Sequence, residues 1–368
     1  QGARALEAAR ALGMSPRRAF FRASLPLARP FIAGGVLLVL METLADFGTV
    51  AAFNYDTFTS AIYSAWFAMF STDTALQLAA VMLLVVAVLV GLEAASRRRQ
   101  SFARIGHGET ARLPLGRWRW AATAVCALVL GAAFVLPVGR LLYVATAHVA
   151  ELDARYFGYV WNGALLSAMA AALTVAAALV LALAAREQPG RLSTLAQRIG
   201  TLGYGLPGAL LAIGLYVPVT RASGWLMDRL GLEMALSGGL ALLLVAYGVR
   251  FTAVAHAPVA AGLLRIRDSH LEAAQLLGVR GLRRLRQLHL PLLGSGLATA
   301  ALLVFVDVMK EMPITLMMRP FGWNTLATRV FELTNEGEWR RAALPALGLV
   351  LVGLWPVLLL TRRGRHAA

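Results

Sequence analysis

The sequence predicts an all-α, polytopic membrane protein with about eight transmembrane helices. Of its 368 residues, 59% are hydrophobic and only 15% are charged, and the mean hydropathy is +0.67. Soluble proteins carry about 25% charged residues. The composition therefore excludes an ordinary soluble enzyme and a disordered chain. The single cysteine, Cys126, excludes a disulfide-bonded scaffold.

Eight stretches are long and apolar enough to cross a membrane, because about 20 helical residues span a hydrocarbon core of about 30 Å. Helices are expected because the runs lack the strict alternation of barrel strands and because lipid offers the backbone no hydrogen-bond partners. The expected spans are 31–53, 75–95, 120–145, 160–185, 199–219, 237–256, 293–316 and 342–361.

The distribution of arginine predicts the orientation of these spans. The net charge is +16, and Lys310 is the only lysine among the 35 basic residues. If residues 1–30 are cytoplasmic and the sides alternate, the cytoplasmic segments hold 25 arginines and the outer segments hold 7. Short arginine-rich loops remain on the cytoplasmic side of a membrane. The positive excess therefore indicates membrane topology in a lipid environment, and nucleic-acid binding is not expected.

An internal repeat divides the chain. Residues 6–13 (LEAARALG) match residues 271–278 (LEAAQLLG), and a Leu-Pro pair follows each copy at the same spacing, at 25–26 and at 290–291. The two copies therefore keep one constant offset, and both are expected on the cytoplasmic side just before a span. Two halves of like topology follow one another in tandem.

The repeat also predicts the domain organisation. Residues 1–95 are expected to form the C-terminal part of a first repeat, with one loop and two spans. Residues 96–119 form an arginine-rich cytoplasmic linker, and residues 120–368 form a second, complete repeat of six spans. By symmetry, about four further hydrophobic helices are expected ahead of Gln1.

The repeated loop predicts a docking surface. Leu-Glu-Ala-Ala favours a helix, and the following glycine permits a left-handed helix end. Paired alanines present a flat surface against which another protein can pack closely. The alternative is an interfacial amphipathic loop that has no protein partner.

These residues resemble the EAA loop of permease subunits in ABC importers. In that family the loop forms the coupling helix, which sits in a cleft of the cytoplasmic ATPase subunit. The resemblance implies tandem type I ABC importer permease repeats, the first truncated at its N-terminus. It assigns ATPase coupling to Glu7, Ala8, Ala9 and Gly13 in the first copy and to Glu272, Ala273, Ala274 and Gly278 in the second.

The resemblance also implies partners and a location. It implies two copies of a cytoplasmic ABC ATPase subunit, an outer substrate-binding protein and the inner membrane of a bacterium. The chain itself is not expected to be an enzyme, because Lys310 lies outside any phosphate-binding glycine loop and no catalytic motif is present. No cofactor is expected, and the six histidines lack metal-ligand spacing.

The cargo is suggested by finer similarities. The segments 310–316 and 319–327, together with 45–48 and 63–67, resemble ferric-iron permeases, and a fused pair of repeats is typical of ferric-iron and thiamine permeases. Thiamine, putrescine, phosphonate or sulfate permeases share much of the pattern and remain alternatives. Less favoured is a secondary transporter, in which acids within the membrane bind protons or sodium.

Two pairs of acidic residues fall within the expected spans. Glu42 and Asp46 lie one helical turn apart, and the offset of the repeat aligns them with Asp307 and Glu311. A charge at mid-membrane costs roughly 2.5–3.5 kcal/mol, so these side chains should not face lipid. One hypothesis is that they line the translocation path, where carboxylate oxygens suit ferric iron.

A structural alternative for these acids stays open. Asp307 and Glu311 could pair with Lys310, and the two helices could break near Gly48 and Pro313 so that outer water reaches the acids.

Overall fold

The computed structural model describes residues 8–98, 116–152, 154–230 and 239–365, and these ranges contain helices and no β-strand. The all-α prediction is confirmed. Their α-helices are α1 (Pro16–Ala19), α2 (Leu25–Ala45), α3 (Gly48–Ala52), α4 (Phe58–Phe67), α5 (Thr72–Arg98), α6 (Arg119–Leu130), α7 (Leu136–Thr146), α8 (Ala154–Glu187), α9 (Arg191–Gly200), α10 (Gly208–Leu230), α11 (Leu240–Leu263), α12 (Asp268–Leu276), α13 (Gly281–Arg284), α14 (Leu290–Met309), α15 (Pro313–Met318), α16 (Leu326–Asn335) and α17 (Trp339–Arg365). Short π-helices occupy Phe20–Ser24, Gly131–Val135 and Leu285–His289, and short 3₁₀-helices occupy Gly116–Trp118, Val149–Glu151 and Leu202–Gly205.

The described residues contain six helical segments that are long and apolar enough to cross a membrane. They are Thr72–Leu92, Gly116–Thr146, Ala154–Glu187, Gly208–Arg229, Leu240–Leu263 and Gly281–Met309. A seventh span results if Arg17–Arg29 and Phe31–Ala45, which meet at 50°, cross the membrane together. About eight spans were expected, and the last of these, 342–361, lies within α17.

Two expected spans end earlier than the hydrophobic pattern indicated. The span expected at 31–53 ends with α2 at Ala45, and the span expected at 293–316 ends with α14 at Met309. A short helix, α3 or α15, follows each break. Pro313 cannot donate a backbone N–H to continue a helix, and Gly48 has low helix propensity. Breaks near these two residues are what the structural alternative for the acids predicted.

The span expected at 199–219 also differs from the pattern. Its first residues belong to α9 and to the 3₁₀-helix Leu202–Gly205, and the spanning helix α10 begins only at Gly208. Pro207 precedes this start, and proline disfavours helical backbone in the residue before it. The hydrophobic pattern alone does not reveal this change of direction.

Two compact units can be distinguished, 1–44 with 83–137 and 45–82 with 138–368. In the described part of the first unit, residues 116–137 of the span Gly116–Thr146 expose large apolar side chains such as Trp120 and Leu128. Apolar side chains exposed along a spanning helix suit contact with lipid.

The second unit is built on three long helices, α8, α11 and α14, which pack against one another. The buried face of α8 is a stripe of small residues that recur every three or four positions, and many of them allow close helix approach in a membrane. The buried residues are Gly163, Leu166, Ser167, Ala170, Ala171, Thr174, Ala178 and Ala182.

Candidate coupling loops and intramembrane acids

The second repeated loop ends its helix with a left-handed glycine. Helix α12 carries Glu272, Ala273 and Ala274, and Gly278 follows it at φ +72°. The N–H of Gly278 donates to Gln275 O at 3.0 Å, and the next residue donates to Ala274 O at 2.8 Å. Hydrogen bonds of this kind satisfy the last carbonyls of a helix, and glycine accommodates the positive φ without strain.

The first loop has the same helix end at the equivalent position. Gly13 lies at φ +83°, its N–H donates to Arg10 O at 2.9 Å, and Met14 N–H donates to Ala9 O at 3.1 Å. Ala8 lies in this helical turn, whereas Glu7 lies outside the described residues. The sequence repeat is therefore also a repeat of backbone geometry.

The two loops expose matching side chains. Ala9 and Ala274 are buried, with 6% and 9% of their surface exposed. Ala8, Glu272 and Ala273 are exposed. Leu12 and Leu277, which occupy equivalent positions, are 81% and 80% exposed. Each loop therefore exposes an alanine and a leucine one helical turn apart.

The path from each loop into its span is also repeated. Helices α1 and α13 are each followed by a π-helical turn, Phe20–Ser24 or Leu285–His289. Leu25 N–H donates to Phe20 O, and Leu290 N–H donates to Leu285 O. The proline after each of these leucines has no N–H, and its ring would clash with a carbonyl one turn earlier. A wider turn at this point relieves the clash.

The first acid pair lies at the break between α2 and α3. Glu42 is exposed and Asp46 is half-buried. One carboxylate oxygen of Asp46 accepts a hydrogen bond from Thr49 N–H at 3.1 Å. The carboxylate therefore caps the N-terminus of α3, where backbone N–H groups lack helical partners and negative charge is favourable.

Glu311 does the same at the break between α14 and α15. Its carboxylate accepts the N–H of Ile314 at 3.1 Å and the N–H of Thr315 at 3.2 Å. The Thr315 hydroxyl lies 3.2 Å from the same oxygen. Unlike Asp46, Glu311 is buried, with 6% of its surface exposed.

The buried carboxylate of Glu311 has a cationic partner on α11. Arg250 Nη1 lies 3.4 Å from Glu311 Oε1, and the Tyr247 hydroxyl lies 2.6 Å from the Thr315 hydroxyl. The expected pairing of Asp307 with Lys310 is confirmed at 3.0 Å. The partner observed for Glu311 is Arg250 rather than Lys310, because Glu311 folds back onto α15 and faces α11.

Arg250 and Tyr247 were not identified as partners from the sequence. The available signal was Arg250 itself, since an arginine within an apolar span requires a partner. The sequence could not select that partner among four acids, because the choice depends on which helices are neighbours.

Aromatic side chains from both repeats meet in the second unit. The ring centroids of Phe47 and Phe331 are 5.4 Å apart, and Tyr63 lies 5.3 Å from Phe47 and 5.4 Å from Phe331. Burial raises the pKa of the Tyr63 hydroxyl, an effect that Arg319 opposes. The hydroxyl therefore remains protonated at neutral pH. Two segments that resemble ferric-iron permeases, 45–48 and 63–67, thus share one cluster.

Within the described residues, no group of three or more His, Cys, Asp or Glu side chains is placed to hold a metal ion. The acids instead lie at helix breaks, where they bond to backbone N–H groups or to single basic side chains.

Several long apolar helices and two loops of matching geometry define a helical membrane-transport subunit. Residues 3–101 and 174–362 match the family described as "Binding-protein-dependent transport system inner membrane component". The chain belongs to this family.

Relatives support the assignment. The chain is 28% identical over 365 residues to the Fe(3+)-transport system permease protein FbpB 2 of Haemophilus influenzae, a match that covers 97% of this chain and 70% of that protein. It is 32% identical over 157 residues to the putative 2-aminoethylphosphonate transport system permease protein PhnV of Salmonella typhimurium, a match over 42% of this chain and 56% of that protein.

Solved structures agree in fold. A bacterial ABC transporter that imports the acidic polysaccharide alginate has a chain with a TM-score of 0.55 at 14% identity, covering 68% of this chain and 96% of that chain. The alginate ABC transporter in complex with its pentasaccharide-bound periplasmic protein gives a TM-score of 0.53 at 16% identity, covering 68% and 95%. The chain is therefore an inner-membrane component of a binding-protein-dependent transport system, with the fold of an ABC importer permease.

Proposed function

We propose that this permease imports ferric iron and that two copies of a separate cytoplasmic ABC ATPase drive it through the loops around Ala8 and Ala273. Similarity to an Fe(3+) permease over 97% of the chain supports the cargo. The excess of arginine on one side, 25 against 7, supports a cytoplasmic position for both loops. An outer binding protein delivers the cargo, and the permease alternates between outward and inward openings.

The observation that carries the coupling proposal is the matching geometry of the two loops. Each has a buried alanine, an exposed leucine, a left-handed glycine and a π-helical turn at equivalent positions of the repeat. A pair of equivalent ATPase subunits needs two equivalent docking surfaces. Helical loops joined directly to spans can then pass rigid-body motion to the transport path.

Cross-linking tests the docking. In a Cys126→Ser background, Ala8→Cys and Ala273→Cys should each cross-link to the ATPase subunit in the assembled transporter. Leu192→Cys is a matched control, because Leu192 is 82% exposed on α9 outside both loops. Absence of both products in an assembly that still transports would overturn the proposal.

The acids define the proposed path. We place Glu42, Asp46, Asp307 and Glu311 along the route of the cargo, where carboxylate oxygens suit a hard cation. The Glu311 carboxylate pairs with Arg250 and accepts backbone N–H groups of α15, so its contribution is to shape the helix break. Asp46 and Glu42 are more exposed and supply a weak polar lining. Weak binding suits an importer, which must release its cargo.

Uptake assays test the cargo. Cells carrying the complete transporter and its binding protein should accumulate radioactive ferric iron, and deletion of the ATPase should abolish that uptake. A second candidate is a phosphonate, which the 32% identity to a 2-aminoethylphosphonate permease favours. Uptake of labelled 2-aminoethylphosphonate without uptake of iron would select this alternative.

A further inference from the structure

Helix α8 bonds to a loop near each of its ends. It has 34 residues and runs without a break from Ala154 to Glu187. At 1.5 Å per residue its length is about 51 Å, which exceeds the hydrocarbon core of about 30 Å. The helix is therefore longer than the hydrocarbon core is thick.

Arg186, one residue before the end of α8, bonds to the chain just ahead of the second repeated loop (residues 271–278). Its guanidinium donates to the carbonyls of Leu263, the last residue of α11, and of Ile266, in the turn that follows. It also lies 3.3 Å from Asp268, the first residue of α12. Asp268 is 89% exposed, so this ion pair contributes little by itself. The bonds to these two carbonyls, of which Leu263 O also accepts the N–H of Ile266 at 3.1 Å, fix the turn between α11 and α12.

Glu187, the next residue, binds the chain after the same loop. Its carboxylate pairs with Arg284, the last residue of α13. The Arg284 side chain is 15% exposed, so the pair is partly shielded from water. Consecutive residues of α8 thus grip both ends of the segment 268–284, which contains Glu272, Ala273 and Ala274. These contacts of Arg186 and Glu187 are called the α8 clamp.

The other end of α8 holds the loop between α15 and α16. The side-chain amide of Asn162 donates to Gly322 O at 3.0 Å and to Asn324 O at 3.1 Å. Each amide hydrogen can serve one carbonyl, so the side chain bridges the loop on both sides of Trp323. From Asn162 to Arg186 the helix rises about 36 Å.

Packing makes α8 suitable for transmitting motion. A stripe of small residues seats it against α11 and α14, where Gly163 and Ser167 contact Met309 at the end of α14. A helix held along its length by close packing moves as one body, because a packed core shifts between discrete arrangements rather than deforming continuously.

We propose that α8 mechanically couples the loop at 322–324 to the second repeated loop, residues 271–278. Asn162 and the residues of the α8 clamp are its positioning residues. The inference rests on the proposed docking of an ATPase at the coupling loops. Movement of the loop at 322–324 when the binding protein docks is passed along α8 to the segment 268–284. Because the α8 clamp binds both ends of that segment, the proposed ATPase-docking surface is displaced with it.

The experiment measures ATP hydrolysis by the complete transporter in nanodiscs, with and without the cargo-loaded binding protein. Glu187→Arg and Arg284→Glu should each lower the stimulation by the binding protein roughly tenfold, within the range of couplings changed by such mutations. The double variant Glu187→Arg/Arg284→Glu restores an ion pair of reversed polarity and should recover most of the stimulation. Asn162→Leu should lower the stimulation similarly from the far end of the helix.

Arg191→Met is the matched control, since Arg191 is an exposed arginine at the start of α9. It should leave the stimulation unchanged, and co-purification of the ATPase should be equal in all variants. If the binding protein still fully stimulates ATP hydrolysis in Glu187→Arg and Asn162→Leu, α8 does not couple the two loops. A charge-swapped variant that stays unstimulated would overturn the pairing. If no ATPase co-purifies with the unaltered chain, the proposed function itself fails, which is a different result.

Discussion

The two helix breaks, between α2 and α3 and between α14 and α15, are capped in the same way but lie in different surroundings. Asp46 and Glu311 occupy equivalent positions of the repeat, and each caps the short helix that follows its break. Asp46 is half-buried, and within the described ranges it forms no ion pair, whereas Glu311 is buried against Arg250. A buried carboxylate requires a partner, but a half-exposed one does not. The repeat therefore conserves the helix cap, while only the second copy pairs its acid with a buried arginine.

The largest expected effect follows from removing Arg250, the basic partner that the described residues place at the second break and not at the first. Arg250→Met leaves the buried Glu311 carboxyl without its cationic partner, and breaking such a pair typically costs about 3–5 kcal/mol. The melting temperature of the purified protein in detergent should fall sharply.

The double variant Arg250→Met/Glu311→Gln provides the control, because it removes both charges and keeps an oxygen that can cap α15. It should recover most of the lost stability. If the double variant is no more stable than Arg250→Met alone, the ion pair does not explain the difference between the two breaks.

An intermediate effect is expected from the space around each break. A Cβ added at Gly208 would lie 2.7 Å from Glu311 Oε1 and closer still to Arg250 Nη1. Gly208→Ala should therefore separate the pair and cost about 1–3 kcal/mol, as overpacking does. The comparison variant at the first break is Gly48→Ala, whose Cβ would meet Met312 Cε at 3.7 Å. Equal melting temperatures for the two variants would contradict the close packing at the second break.

The smallest effect on stability is expected at Asp46. Asparagine caps helices about as well as aspartate, so Asp46→Asn should change stability by less than about 0.5 kcal/mol. The variant nevertheless removes the charge proposed to line the path, and uptake at low iron concentration should slow. Normal uptake by a well-expressed variant would remove Asp46 from the path.

The local geometry of the two repeated loops was the feature that the sequence predicted best. Helix formation by Leu-Glu-Ala-Ala and the left-handed glycine depend on neighbours within one or two turns, whereas the helix continues through each Leu-Pro pair by way of a π-helical turn. Gly13 and Gly278 accordingly have the backbone that the spacing predicts. The sequence did not predict the π-helical turns, because several local geometries can accommodate a proline.

The partners of charged residues were beyond the sequence. Lys310 was correctly paired with Asp307, its neighbour one turn away on the same helix. Glu311 pairs with Arg250, 61 residues away, and Arg284 pairs with Glu187, 97 residues away. Such contacts depend on which helices are neighbours and on how each is rotated, and hydropathy carries no information on either.

The sequence by itself determined that this protein is helical, that it lies in a membrane and that it carries two equivalent loops. These properties follow from hydrophobic run length, arginine placement and local backbone preference, which act over short distances along the chain. Only the tertiary structure decided that one of two equivalent acids is buried and paired while the other is not, and that α8 grips the second loop at both ends. Apolar spans can pack in many arrangements of similar hydrophobicity, so the positions of their few polar contacts are set by the assembled fold.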